Sequence, residues 1–248
     1  MRIGLCLSGG GAKGSYQAGV IKGLYDNGIN KFSAISGTSI GAVNGYYIYT
    51  GNVNNLEKVW INIQTISENG IKILDNAVDN SEVIDKLKPL TNNLRHKMDF
   101  YVNYIKIENK GVEEVIVNVS KQDYKEGLDS VKYSSLLPYN PLGQLPLKDQ
   151  FEKDLYEGLY DGCKLDGGMV NNTLIEPLIE DNVDKIIVIS TRHDYILPED
   201  IKYRYNEDDI IIVRPKTIFG QMDTLRFESA FCKRMFEEGY EIGKNINI

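Results

Sequence analysis

Residues 2–41 read RIGLCLSGGGAKGSYQAGVIKGLYDNGINKFSAISGTSIG. The run Arg2–Leu7 has the length and apolar content of a buried strand, and it breaks into glycine at Gly9, Gly10, Gly11 and Gly14. Over residues 15–27, Tyr16, Val20, Ile21, Leu24 and Tyr25 recur at helical spacing. Gly28 stands where a helix C′ residue turns left-handed. Phe32–Ser36 predicts a second short strand, then a glycine-bracketed turn and a helix from Ile40. Strand–helix–strand–helix at this spacing predicts parallel βαβ units.

Farther along, Leu56, Val59, Trp60 and Ile63, then Val83, Ile84 and Leu87, predict a mostly helical stretch over Asn55–Asn109. Val115–Val119, Lys185–Ile189 and Ile210–Val213 read as further buried strands, and Leu225–Tyr240 as a closing helix. The expected fold class is α/β, with helices on both faces of a mostly parallel central sheet. No composition break divides residues 1–248, so one domain is expected, with a helical lid or interfacial segment around residues 60–112.

The chain has 248 residues, 28 Lys+Arg against 35 Asp+Glu, a net charge of −7 and a pI near 5.0. An acidic chain lacks the basic footprint of a nucleic-acid binder. No apolar run approaches the roughly 20 residues that span a bilayer, and Met1–Ser8 is too short for a signal peptide. A cytoplasmic location is therefore expected. Cys6, Cys163 and Cys232 are odd in number and far apart, which suits free thiols. With only His96 and His193 available, no metal site and no cofactor are expected.

Gly9-Gly10-Gly11-Ala12-Lys13-Gly14 matches G-x-G-x-x-G after a strand and before a helix. A dinucleotide-binding turn also requires an acid at the end of the second strand to hold the ribose. That strand ends Ala34-Ile35-Ser36, with no acid. A P-loop fails because Gly14 follows Lys13. Consecutive backbone N–H groups at a helix N-terminus can instead converge on an oxyanion, and a tight packing turn is the bland alternative.

Gly37-Thr38-Ser39-Ile40-Gly41 is G-x-S-x-G between a predicted strand and a predicted helix, the context of a nucleophile elbow. Serine needs a base. The order Ser39, Asp166, His193 superficially suits a triad, but both motifs lie on the first two strands, too early for that fold. His193 reads as a surface-loop residue and His96 as solvated. Asp166-Gly167-Gly168 remains, its two glycines indicating close backbone approach, or else a simple turn. Asp161-Gly162 nearby lacks the second glycine.

Together these residues resemble the patatin-like phospholipases: the loop Gly9–Gly14 with its basic Lys13, the elbow Gly37–Gly41, and Asp166-Gly167-Gly168, in that order. Tyr16–Ile21 resembles the family's helix after the loop, and Ser134–Pro138 its proline-containing loop before the aspartate. The resemblance covers roughly residues 2–50 and 130–190. It implies a three-layer α/β/α sandwich, a Ser–Asp dyad without histidine, and metal-free hydrolysis of phospholipid or other acyl esters. Carried over, Ser39 is the nucleophile, Asp166 the base, and Gly9, Gly10 and Gly11 the oxyanion donors. Leu174 departs from the pattern, where a proline often stands. A thioesterase or acyltransferase would use the same residues, and a nucleotide-binding module on Gly9–Gly14 is the outlying alternative.

Residues 86–110 carry Lys86, Lys88, Arg95, Lys97, Lys106 and Lys110 against Asp99 and Glu108, a local +4 interleaved with aromatics. A solvated helix face is the bland reading. A peripheral membrane contact is the sharper one.

Overall fold

Alternation along the first strand builds two cores. In β1 (Ile3–Leu7), Ile3, Leu5 and Leu7 enter one apolar cluster while Cys6 enters another on the opposite face. β8 (Lys185–Ile189) does the same, with Ile187 and Ile189 on the first side and Ile186 and Val188 on the second. Strands buried on both faces read as continuous apolar runs, which is why these two were visible in sequence. The structure, a computed structural model, describes residues 1–63, 72–93 and 98–248.

The sheet runs β6-β5-β2-β1-β8-β9, where β2 is Ala34–Thr38, β5 Asp99–Glu108, β6 Gly111–Asn118 and β9 Ile210–Val213. β1 is parallel to both β2 and β8, and the β2–β5 and β8–β9 pairs are also parallel. β6 and the short β7 (Lys164–Asp166) run antiparallel to β5. The first face is covered by helices α1 (Gly14–Asp26), α2 (Ile40–Tyr49), α3 (Leu56–Ile61) and others, the second by α7 (Glu176–Glu180) and α8 (Glu199–Arg204). This is a three-layer α/β/α fold with a mostly parallel sheet. No described helix is long and apolar enough to cross a membrane.

The helical expectation over Asn55–Asn109 is corrected at its end. The hairpin of β3 (Ile73–Leu74) and β4 (Ala77–Val78) and helix α4 (Ser81–Leu87) precede β5, a ten-residue strand. Phe100, Val102, Ile105 and Ile107 are fully buried in it, held on one side by β6 and on the other by β2 and then β7. β6 starts earlier than the expected Val115 and is an edge strand, with Val112 and Ile116 exposed. Two more helices, α5 (Tyr124–Ser134) and α6 (Leu147–Tyr156), lie between β6 and β7. The closing helix α9 spans Ser229–Gly243, after a 3-10 turn over Gln221–Leu225.

His96, and Arg95 and Lys97 of the basic stretch, lie outside the described residues. Within the described part of that stretch, Lys88 pairs with Asp85 and Lys106 with Glu108.

Helices α1 and α9 approach until their backbones touch. A Cβ on Gly239 would strike the Tyr16 carbonyl, and one on Gly19 would strike the Phe236 carbonyl. Neither carbonyl can yield, because each lies in a helical hydrogen-bond ladder. Gly239→Val should therefore cost about 2 kcal/mol or more. That corresponds to a melting temperature about 4–8 °C lower, and calorimetry showing no shift would contradict this packing.

Candidate active site

β2 and β7 share one edge of β5. Register pairs run from Ala34 with Asp99 to Thr38 with Asn103, and the next residue, Tyr104, pairs with Asp166 of β7. β2 leaves the sheet where β7 takes over, so Ser39 and Asp166 meet although 127 residues separate them. The Ser39 hydroxyl donates to Asp166 Oδ2 at 2.5 Å.

Ser39 sits at φ 57° and ψ −124°, a backbone conformation rare for a residue with a side chain. Such geometry costs about 1–3 kcal/mol and persists only when its surroundings hold it. Here the Ser39 N–H donates to the buried Ser134 Oγ at 2.9 Å, and its carbonyl accepts from Ala42 N–H at 2.9 Å. Helix α2 then begins at Ile40, with its positive end next to Ser39.

Asp166 is buried, and burial pushes its carboxyl up to about 7 from the ordinary 3.8. The hydrogen bonds from Ser39 and from the Gly168 N–H (2.8 Å to Oδ1) oppose that rise without cancelling it. Behind it, Thr38 Oγ1 donates to Asn103 Oδ1 at 2.8 Å, and Asn103 Nδ2 donates to the Asn171 carbonyl at 2.9 Å and to Glu114 at 2.7 Å. This buried chain ties the segment after Asp166 to the end of β2.

The glycine loop follows β1, between the ends of β2 and β8. Chain connections depart in opposite directions on either side of it, the position where open α/β sheets bind ligands. Gly11 adopts φ +57°, and a Cβ there would strike the Thr224 carbonyl, so only glycine fits. Ala12 is buried in the 3-10 turn that leads into α1. Among the described residues, no protein acceptor meets the N–H of Gly10 or of Gly11.

Gly9 differs from the expectation. Its N–H donates to the Asn172 carbonyl at 3.0 Å, which removes it from the free donors. Its carbonyl accepts from Thr191 Oγ1 at 2.5 Å and from Asn172 Nδ2 at 3.3 Å. Beneath the loop, Gln17 donates to the carbonyls of Ser8 and Ile189, Asn44 donates to Gln17 and to the Gly14 carbonyl, and Trp60 donates to Asn44. Every polar atom of this buried chain has a partner.

Gly9, Gly10, Gly11, Lys13, Ser39, Ile40, Asp166 and Gly168 all line one cavity of about 290 Å³. Its remaining walls are largely apolar, with Val43, Val78, Val83, Leu137, Leu147, Met169, Leu225 and Phe227. Lys13 lies over the Phe219 ring, and desolvation pushes its ammonium below the usual lysine range. Arg192 also lines the cavity and is held by Asp194. Gly37 and Gly41 flank the elbow, where a Cβ on Gly37 would meet the Gly41 carbonyl. Gly167 follows Asp166 within the turn. His193 is exposed and does not line the cavity. Among the described residues, no three His, Cys, Asp or Glu side chains gather as a metal site would require.

The patatin-like phospholipase family model matches residues 5–179. The chain belongs to that family, one of lipid acyl hydrolases. Among solved structures, VipD from Legionella pneumophila shares 14% identity over 98% of this chain and 66% of its own, at a TM-score of 0.50. A chain of the ExoU–SpcU complex from the type III secretion system of Pseudomonas aeruginosa shares 12% over 98% of this chain and 51% of its own, at 0.43. The patatin-like chain thus spans about two-thirds of the first structure's length and half of the second's. At 14% identity the likeness to VipD concerns fold alone. No curated protein matches the chain.

Thr191, Asn172 and Asn103 are the site residues missed in sequence, and Ser134, flagged there only within a resemblance to a proline-containing loop, proves to hold the Ser39 N–H. The Asn171-Asn172 pair shortly after Asp166-Gly167-Gly168 was the one local signal. Ser134→Ala should orphan the buried Ser39 N–H at a strained position, costing about 1–3 kcal/mol. Urea denaturation within 0.3 kcal/mol of wild type would contradict this.

Proposed function

We propose that this chain is a serine lipid acyl hydrolase of the phospholipase A type, with Ser39 as nucleophile and Asp166 as general base. The observation that carries the reading is the Ser39–Asp166 hydrogen bond of 2.5 Å at the wall of an apolar cavity. A carboxylate at 3.8 is a poor base for serine, and the shift to about 7 narrows the gap.

In this mechanism Asp166 takes the Ser39 proton as Oγ attacks the ester carbonyl. The tetrahedral oxyanion accepts from the Gly10 and Gly11 N–H groups, beside the N-terminus of α1. Collapse expels the alcohol, which leaves with the proton from Asp166, and Ser39 carries the acyl group. Asp166 then deprotonates a water that attacks the acyl-enzyme, releasing the fatty acid and restoring Ser39. The apolar walls suit an acyl chain, and Lys13 and Arg192, with Lys72, Asp79 and Glu82, put charged groups on the same lining. No step uses a metal or a cofactor.

Ser39→Ala and Asp166→Asn should each lower hydrolysis of a soluble ester by about a thousandfold or more, while His193→Ala leaves it unchanged. Retained turnover in folded Ser39→Ala would end the proposal. Because Asp166 must be ionised to act, kcat/KM should rise about tenfold per pH unit below pH 7 and level off above it. A profile flat between pH 5 and 8 would assign the base elsewhere.

A further inference from the structure

In a trans peptide the C=O and the following N–H point in opposite directions. Fixing the Gly9 carbonyl therefore fixes the Gly10 N–H. Two side chains from distant segments hold that carbonyl: Thr191 Oγ1 at 2.5 Å, just after β8, and Asn172 Nδ2 at 3.3 Å, six residues after Asp166. The Asn172 backbone carbonyl also accepts from the Gly9 N–H, which anchors the preceding Ser8–Gly9 peptide. Thr191 stands so close that a Cβ on Gly10 would lie 2.7 Å from its Oγ1. The peptide has no side chain of its own to lock it, and glycine resists rotation least of all residues. The Gly11 N–H needs no such help, because the preceding Gly10 carbonyl accepts from Lys13 N–H within the loop's own turn.

We infer that Thr191 and Asn172 are positioning residues that aim the Gly10 N–H at the oxyanion by gripping the Gly9 carbonyl from behind. The inference rests on the proposed Ser39 hydrolysis. It assigns the second half of the glycine loop's function to side chains outside the loop. Preorganisation of this kind acts on the transition state far more than on the bound ester, whose carbonyl carries little charge.

Thr191→Val keeps the shape and deletes the donor. It should lower kcat about 10- to 100-fold, against the 100- to 1,000-fold typical of removing an oxyanion donor outright. KM should stay within about twofold, the pH midpoint should be unchanged, and Thr191→Ser should recover most of the loss. The rate of labelling by a fluorophosphonate should fall in parallel. In that reaction Ser39 Oγ bonds phosphorus, fluoride leaves, Asp166 takes the proton, and the phosphoryl oxygen occupies the oxyanion's place.

A folded Thr191→Val with wild-type kcat, or with only a raised KM, would overturn the inference. So would a Thr191→Ser variant as impaired as Thr191→Val. If Thr191→Val does not fold, Asn172→Ala takes the same kcat, KM and labelling measurements, with the same outcomes deciding. Ser39→Ala separates the two ideas. If it is inactive while Thr191→Val is normal, only the positioning role fails; if it is active, the hydrolase reading itself fails.

Discussion

One edge of β5 accommodates two strands in succession, and the site depends on that. β2 occupies it as far as Asn103 and β7 from Tyr104 onward. The strands approach from opposite directions, so β2 ends and β7 ends at one seam. A residue leaving the first and a residue closing the second must meet there. Ser39 and Asp166 are those residues, and their contact is fixed by backbone pairing before any side-chain preference enters. The buried Thr38–Asn103–Asn171 chain crosses the same seam and prevents it from opening.

Desolvation governs the electrostatics. A carboxylate excluded from water and given only two donors stays a stronger base than one at the surface. The surrounding polar groups are held in the opposite way, fully partnered. The Gln17–Asn44–Trp60 chain links α1, α2 and α3 to the carboxyl ends of β1 and β8. A buried amide network with no orphan atom rigidifies its surroundings. The floor of the glycine loop is therefore stiff, and the loop, having no side chains of its own, takes its rigidity from such neighbours.

The β1–α1–β2–α2 unit was legible because each step has a local cause: apolar runs, helical spacing, and glycines where the backbone must turn or approach closely. β5 was not. Its inward positions change parity at Asn103, so Phe100 and Val102 alternate in one frame and Ile105 and Ile107 in the other. Lysines and asparagines between them mimic a solvated helix. At the site, Gly37, Ser39 and Gly41 announce a sharp turn within five residues. The engaged Gly9 N–H and the roles of Asn172 and Thr191 arise from contacts across 163 and 182 residues. Beyond the Asn171-Asn172 pair no window of sequence records them; knowing that β8 neighbours β1 would have pointed to Thr191.

Those separations bear on when during synthesis the glycine loop takes its final shape. A nascent polypeptide that has emerged through Asp166 possesses both Ser39 and Asp166, yet it lacks β8 and the threonine that follows. Its β1 is then an unpaired edge, and the peptide between Gly9 and Gly10 is free to rotate. Contacts of such long range form late. The hydrogen bond from Thr191 back to residue 9 therefore closes the glycine loop only once β8 has paired with β1.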